Sequence, residues 1–295
     1  MNETEWANNY FLRLEEKLSI LNAHPSVDKV VSIQYKGLND SEIDQIEEEI
    51  TLMLNNNVQS VIDDYEFEDN HEAIDEIKYD FDKKFRFNNY IRAFYKISNG
   101  LNIIWHSNLH SSGLENIHTK DKNIESFFSA TPGEDDRADF EGFCALIPLQ
   151  AFINPYKYSI ESDFDYTEYN EGLNKEEGLQ MCFLDYFNYY NDTAVVLSKD
   201  DPNLTIILGE DHSASYNDLT YCDFVIYMEF LLATFFSVEH RSSELKLPND
   251  RTETLNEFLK EFEESATKDY NKIIDFFADE NIKPEDIFKN DHIKT

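Results

Sequence analysis

Asp163, Asp165, Tyr166, Glu168 and Tyr169 interleave carboxylates with large rigid rings in one short stretch. Residues of these types can receive Arg and Lys, because carboxylate oxygens accept the cation's N–H hydrogens and ring faces attract the same charge. Tyrosines at such a surface also supply rigid contact area. Glu134, Asp135 and Asp136, which follow the turn-forming Thr131-Pro132-Gly133, can extend the same rim. These eight residues are the expected partner-binding set. The same pattern also suits a solvated acidic loop whose rings tuck inward.

Catalytic chemistry has no comparable signature. The sequence contains no Gly-x-Ser-x-Gly elbow, His-Glu-x-x-His pair, Walker loop or Gly-x-Gly-x-x-Gly turn, and its 8 glycines leave little to build phosphate cradles from. His106 and His110 have the four-residue spacing that binds metal on a helix, with His118 nearby. Ser111, Ser112 and Gly113 place them in a loop, so surface histidines are expected. The stretch opening at Asp163 resembles a calcium loop until its sixth position, Glu168, where the loop needs glycine, and its twelfth is Asn174. No catalytic residue, metal or cofactor is expected. Cys144, Cys182 and Cys222 are odd in number and far apart, which encodes neither a disulfide framework nor a metal knuckle and suits buried free thiols.

Charge narrows the partner class. Sixty acidic residues against 25 basic ones give a formal charge of −35. A field of that sign repels nucleic-acid phosphates and anionic membranes and steers cationic partners inward, so a basic protein is the expected partner. High acidity alone also serves solubility. The first residues lack the basic start and apolar run of a secretion signal, and the longest apolar run, 224–236, is interrupted by Glu229. A cytoplasmic location is therefore expected.

The elements that must position these residues follow from periodicity. Trp6, Tyr10, Phe11, Leu14, Leu18 and Leu21 form one helical face that stops before Pro25, and Val30, Ile33 and Tyr35 suggest an edge strand. Ile43, Ile46 and Ile50 set the inner face of a helix with acid outside. Residues 58–87 are helix-permissive and dense in acid, including Asp63, Asp64, Glu66, Glu68, Asp69, Glu72, Asp75 and Glu76. Ile91, Phe94 or Tyr95, and Ile97 predict a helix that Gly100 closes in the left-handed conformation, before a buried strand of Leu101, Ile103, Ile104 and Trp105. Residues 107–142 read as a surface excursion around a short apolar element at 124–128, and 144–149 as a buried strand. The stretches 179–184, 193–197 and 204–208 are β-prone, the last two joined by a turn at 199–203. A helix over 221–238 should cover their sheet. Leu255, Phe258, Leu259 and Phe262, then Tyr270, Ile273, Ile274 and Phe277, give two further helices. The expected fold is α+β, an antiparallel central sheet flanked by helices, over 1–247, with a helical extension over 248–295.

Phe94, Tyr95, Asn99, Gly100, Leu101 and Trp105, a helix ending Phe-Tyr-x-x-x-Asn-Gly that runs into a strand ending in an aromatic residue, resemble the signature of the SMI1/KNR4 (SUKH) superfamily. The similarity extends in order through 37–50, Leu146-Ile147-Pro148-Leu149, 193–209 and the 221–238 helix. Where the family shows Leu-Pro before its Phe-Tyr helix, this chain has Met53-Leu54-Asn55 and a charged segment to Lys84, which suggests an insertion. The signature residues Phe94, Tyr95, Asn99, Gly100 and Trp105 are expected to pack and turn. The resemblance implies a bacterial immunity protein that binds a cationic toxin domain, often a nuclease, one to one. A scaffold of the same fold recruiting signalling proteins through its terminal helices is the alternative. A hydrolase with unrecognised carboxylates is the third reading.

Overall fold

The computed structural model describes residues 1–25, 27–107, 142–154, 175–186, 192–208 and 220–238. Asn2 opens helix α1 (Glu3–Ala23): its side chain accepts from the Glu5 amide while Glu5 reaches back to Asn2, a reciprocal box that satisfies two helix-end donors. Trp6, Tyr10, Leu14 and Leu21 make the buried stripe. Strand β1 (Val27–Lys36) follows, and Asn39 repeats the same box with Glu42 to start α2 (Asp40–Phe67). A short helix α3 (His71–Glu76) comes next, then an irregular strap over 77–88, and then α4 (Asn89–Ile97).

The helix-permissive stretch 58–87 is helical only to Phe67 and again over His71–Glu76, and the strap takes the rest. Phe85 and Phe87 turn inward at 0% and 3% exposure, and the strap's backbone is held by side chains of α2 rather than by helical bonds. The Phe85 amide donates to Thr51 Oγ1 (3.0 Å) and the Phe87 amide to Glu47 Oε1 (3.0 Å). Strand β2 (Ser98–Ser107) then leaves α4 directly.

The sheet is an antiparallel meander in chain order, comprising β1, β2, β3 (Gly142–Leu146), β4 (Gln180–Tyr186), β5 (Asp192–Leu197), β6 (Thr205–Leu208) and β7 (Thr220–Asp223). The turn between β5 and β6 sits where 199–203 suggested it. Cross-strand partners share a face, so Val31, Ile104 and Phe143 line one side while Ile103 and Cys144 line the other, all at 2% exposure or less. The sheet centre is thus covered on both faces, which is why β2 and β3 read as nearly continuous apolar runs.

Helix α5 (Phe224–Ala233) is shorter than the 221–238 expected. Residues 220–223 pair with β6 instead, and Asp223 caps the helix by accepting from the Ile226 amide (2.9 Å). At its far end Phe235 and Phe236 both take left-handed backbone (φ 54° and 59°), which stops the helix. Helix α1 packs on α4 and β1 and reaches α5, so helices flank the sheet as the sequence predicts. Among the described residues no helix is long and apolar enough to cross a membrane. The 248–295 extension lies outside the described residues.

Candidate functional site

The helix–strand unit of α4 and β2 has its side chains turned into the core. Asn88 starts α4 by accepting from the Ile91 amide (2.9 Å). Phe94 sits among Trp6, Tyr10, Phe11, Tyr95 and Phe224, with centroids 5.0 to 6.4 Å away. The Tyr95 hydroxyl donates to the Ile147 carbonyl (3.2 Å), and burial pushes its pKa far above the usual phenol value. Asn99 accepts from the Leu149 amide (3.1 Å) and donates to Gln150 Oε1 (2.8 Å), which fixes the 3-10 turn Leu149–Phe152 that follows β3. Trp105 Nε1 donates to the Phe235 carbonyl (2.7 Å), tying β2 to the strained end of α5.

Gly100 does not close α4. That helix ends at Ser98, which is already extended (φ −142°, ψ 119°), and Gly100 (φ 106°) lies inside β2. Between the pairs Gln34↔Leu101 and Lys36↔Ser98, β2 carries one residue more than β1, a bulge whose backbone favours glycine. With Phe94, Tyr95 and Trp105 fully buried and Asn99 at 3% exposure, these side chains hold elements together and offer no surface to a ligand.

The acid–aromatic set at 163–169 and Glu134, Asp135 and Asp136 lie outside the described residues, as do His110 and His118. Among the described residues no cluster of His, Cys, Asp or Glu could hold a metal ion. Cys144 is buried and Cys182 half-buried, neither in a disulfide, and burial pushes the Cys182 thiol up to about 12.

The described acid surface runs along α2 and α3, and its two halves differ. At the start of α2, Asp40, Asp44 and Glu47 are paired with cations. Arg92 donates to Glu47 Oε1 (2.8 Å) and Asp44 (2.8 Å), Arg86 to Glu47 Oε2 (2.7 Å), and Lys96 pairs with Asp40 (2.5 Å). Glu47 is fully buried, so α2 carries an internal carboxylate on which the strap and α4 converge. Burial works to lower the Arg92 pKa, but its bonds to Glu47 and Asp44 outweigh that and raise it. Lys96, and then Arg92, hold the Asp40 carboxyl below its ordinary value.

Past Leu54 the pattern reverses. Asp64, Glu66, Glu68, Glu72, Asp75 and Glu76 are exposed, and among the described residues none of them makes an ion pair. No Lys or Arg occurs between Gly37 and Ile77. Several of these carboxylates crowd the C-terminal turn of α2, where the helix dipole disfavours negative charge.

Beside this face a cleft of about 470 Å³ is lined by the strap, the 3-10 turn Lys175–Glu177 and the β5–β6 turn. Its floor is Lys199, 7% exposed, whose ammonium donates to Asn55 Oδ1 (2.5 Å) and the Asp80 carbonyl (2.9 Å) and lies 4.3 Å from the Tyr79 ring centroid. Burial lowers the Lys199 pKa and raises that of Tyr79 to about 12. Lys83 pairs with Asp200, and Tyr65 donates to Glu176. The amine of Lys199 is thus occupied as a cation by the strap it holds, which suits anchoring rather than nucleophilic attack.

Two kinds of residue escaped the sequence reading. The buried charges Glu47 and Lys199 carry no periodic signal beyond an acid on the Ile43, Ile46, Ile50 face. The bare acids of α2 and α3 were visible as composition, but their lack of counter-charges depends on where Arg86, Arg92 and Lys96 fold to. Comparison of the chain with protein-family models, curated proteins and solved structures finds no match.

Proposed function

We propose that this protein is a stoichiometric binder of a cationic protein domain, and that it acts as an immunity protein of the SUKH type against a basic toxin. The observation that carries this reading is the exposed acid face over the end of α2 and α3, free of Lys and Arg, on a chain of net charge −35. Folding leaves these carboxylates unneutralised, against the α2 dipole, and a partner's basic surface supplies the missing counter-charge. A toxin that degrades nucleic acid has such a surface, because it must bind phosphates, and a fixed anionic face can cover it. The 134–136 and 163–169 acids belong to the same proposal as a second part of the contact. Binding needs no catalytic residue and no cofactor.

The scaffold alternative draws on α1, where Leu12 and Ile20 are 65% and 44% exposed. The test is a pull-down with the full chain from its native cytoplasm and culture, at low and high salt. Recovery of one basic domain, lost in salt and weakened by Asp63→Asn with Asp64→Asn, is expected. Partners that are acidic, or held equally well in salt and lost on Leu12→Ser, would move the assignment to a scaffold.

A further inference from the structure

Among the described residues, the exposed large apolar side chains fall into two groups: Met1, Leu12 and Ile20 at α1, and Leu52, Phe67 and Phe81 on α2 and the strap. Phe67 is 92% exposed at the last position of α2, between Glu66 and Glu68. Leu52, 60% exposed, lies on the same side of the helix, about 60° from Phe67 around the axis and about 22 Å along it. Gln59 and Asp63 lie between them and bond to each other (2.8 Å), so this stripe turns no side chain toward the sheet.

We propose that the outer stripe of α2 from Leu52 to Phe67 is a docking surface for a basic amphipathic segment of a protein partner. The proposal rests on the binder reading above and names the face that carries it. Charge complementarity selects the occupant. The stripe runs through a stretch of sequence without Lys or Arg, so a second copy of this chain meets like charge, whereas a partner's Lys or Arg side chains find Glu66 and Glu68 on either side of Phe67, Asp63 one turn before it, and Glu49 one turn before Leu52. Phe67 gives the contact its aromatic anchor, and burying it against apolar groups adds what the charges alone do not. The α1 group makes no such selection, because Arg13 and Lys17 mix both signs there.

The test uses the full chain and three amidated peptides: Lys and Leu at helical spacing, Lys without Leu at equal charge, and Glu with Leu. Fluorescence anisotropy at low salt reads affinity, and sedimentation reads self-association. The Lys–Leu peptide is expected to bind about tenfold tighter than the lysine-only peptide, an advantage of about 1.4 kcal/mol. Phe67→Ser and Leu52→Ser should each reduce that advantage, while Leu12→Ser keeps it. Both residues are exposed, so the serine variants fold. If Phe67→Ser and Leu52→Ser keep the full advantage, the face is wrong while the binder reading stands. If neither cationic peptide binds, both fall. Concentration-dependent dimerisation that Phe67→Ser abolishes would make the occupant a second copy and overturn the partner class.

Discussion

Tyr10 carries its hydroxyl into the core with 0% exposure and no hydrogen-bond partner among the described residues, and burial, then the nearby Cys144 and Glu229, push its pKa well above the usual phenol value. An unmade buried hydrogen bond costs about 1–3 kcal/mol, so Tyr10→Phe should leave the melting temperature unchanged or raise it; a clear fall would mean that the hydroxyl is satisfied. Glu229 makes the opposite case. It is 1% exposed and accepts from Trp6 Nε1 (2.8 Å) and from the two terminal guanidinium nitrogens of Arg13 (2.8 and 2.6 Å). Glu229→Leu should cost about 3 kcal/mol, the low end for breaking a buried pair, because Arg13 keeps 26% of its side-chain surface exposed. Adding Arg13→Met should recover much of that loss in denaturant titrations, since the cost lies mainly in the stranded cation. Gly142 leaves less room still. A Cβ there would sit 1.7 Å from Trp105 Nε1, so Gly142→Ala must displace the indole and its bond to Phe235.

At the scale of elements, the strap is the part held most indirectly. Lys199 receives it through the Asp80 and Phe81 carbonyls (2.9 and 3.4 Å), and Asn88 at its end donates to the Pro202 carbonyl (2.8 Å). Lys199→Met should cost about 1–3 kcal/mol through the acceptors it strands, and the amides of 80–84 should exchange with solvent faster than those of β2. Retained protection of the strap would show that Phe85 and Phe87 suffice to hold it. This strap was illegible in the sequence because its charged residues and paired phenylalanines fit no period and its bonds come from side chains distant in the chain. Helix α1 was legible through Trp6, Tyr10, Leu14 and Leu21, and β2 through its apolar run. The four-residue β7 was absorbed into α5, since Tyr221 and Cys222 continue the apolar pattern of the helix and only Asp223, its cap, marks the boundary. Of the candidate surface, the acids were legible as composition. Exposed Phe67 was not, because a single phenylalanine between glutamates says nothing of which way it points.

The whole molecule combines a strongly negative surface with a core rich in protonated phenols, and the two respond to solvent separately. Burial raises the pKa of Tyr10, Tyr90 and Tyr95, as well as that of Tyr79, to about 12 for the last. Each phenol binds its proton more tightly folded than unfolded, so its contribution is complete below about pH 10 and is lost as pH rises through the folded value. Burial lowers Lys17 and Lys199, and these act oppositely, favouring the folded state as pH approaches 10. Stability should therefore hold to about pH 10 and fall steeply toward pH 12; a melting temperature that stays constant from about pH 10 to about pH 12 would contradict the burial of these rings. Salt addresses the other half. The −35 charge repels itself across the folded surface, whereas exposed pairs such as Lys84–Glu48 (3.8 Å) are worth at most about 1 kcal/mol each. Raising salt from about 20 mM to about 0.5 M shortens the screening length to a few ångströms, so the melting temperature should rise while association with a cationic partner slows. A fall in melting temperature over the same range would mean that the ion pairs binding α4 and the strap to α2 outweigh the field they sit in.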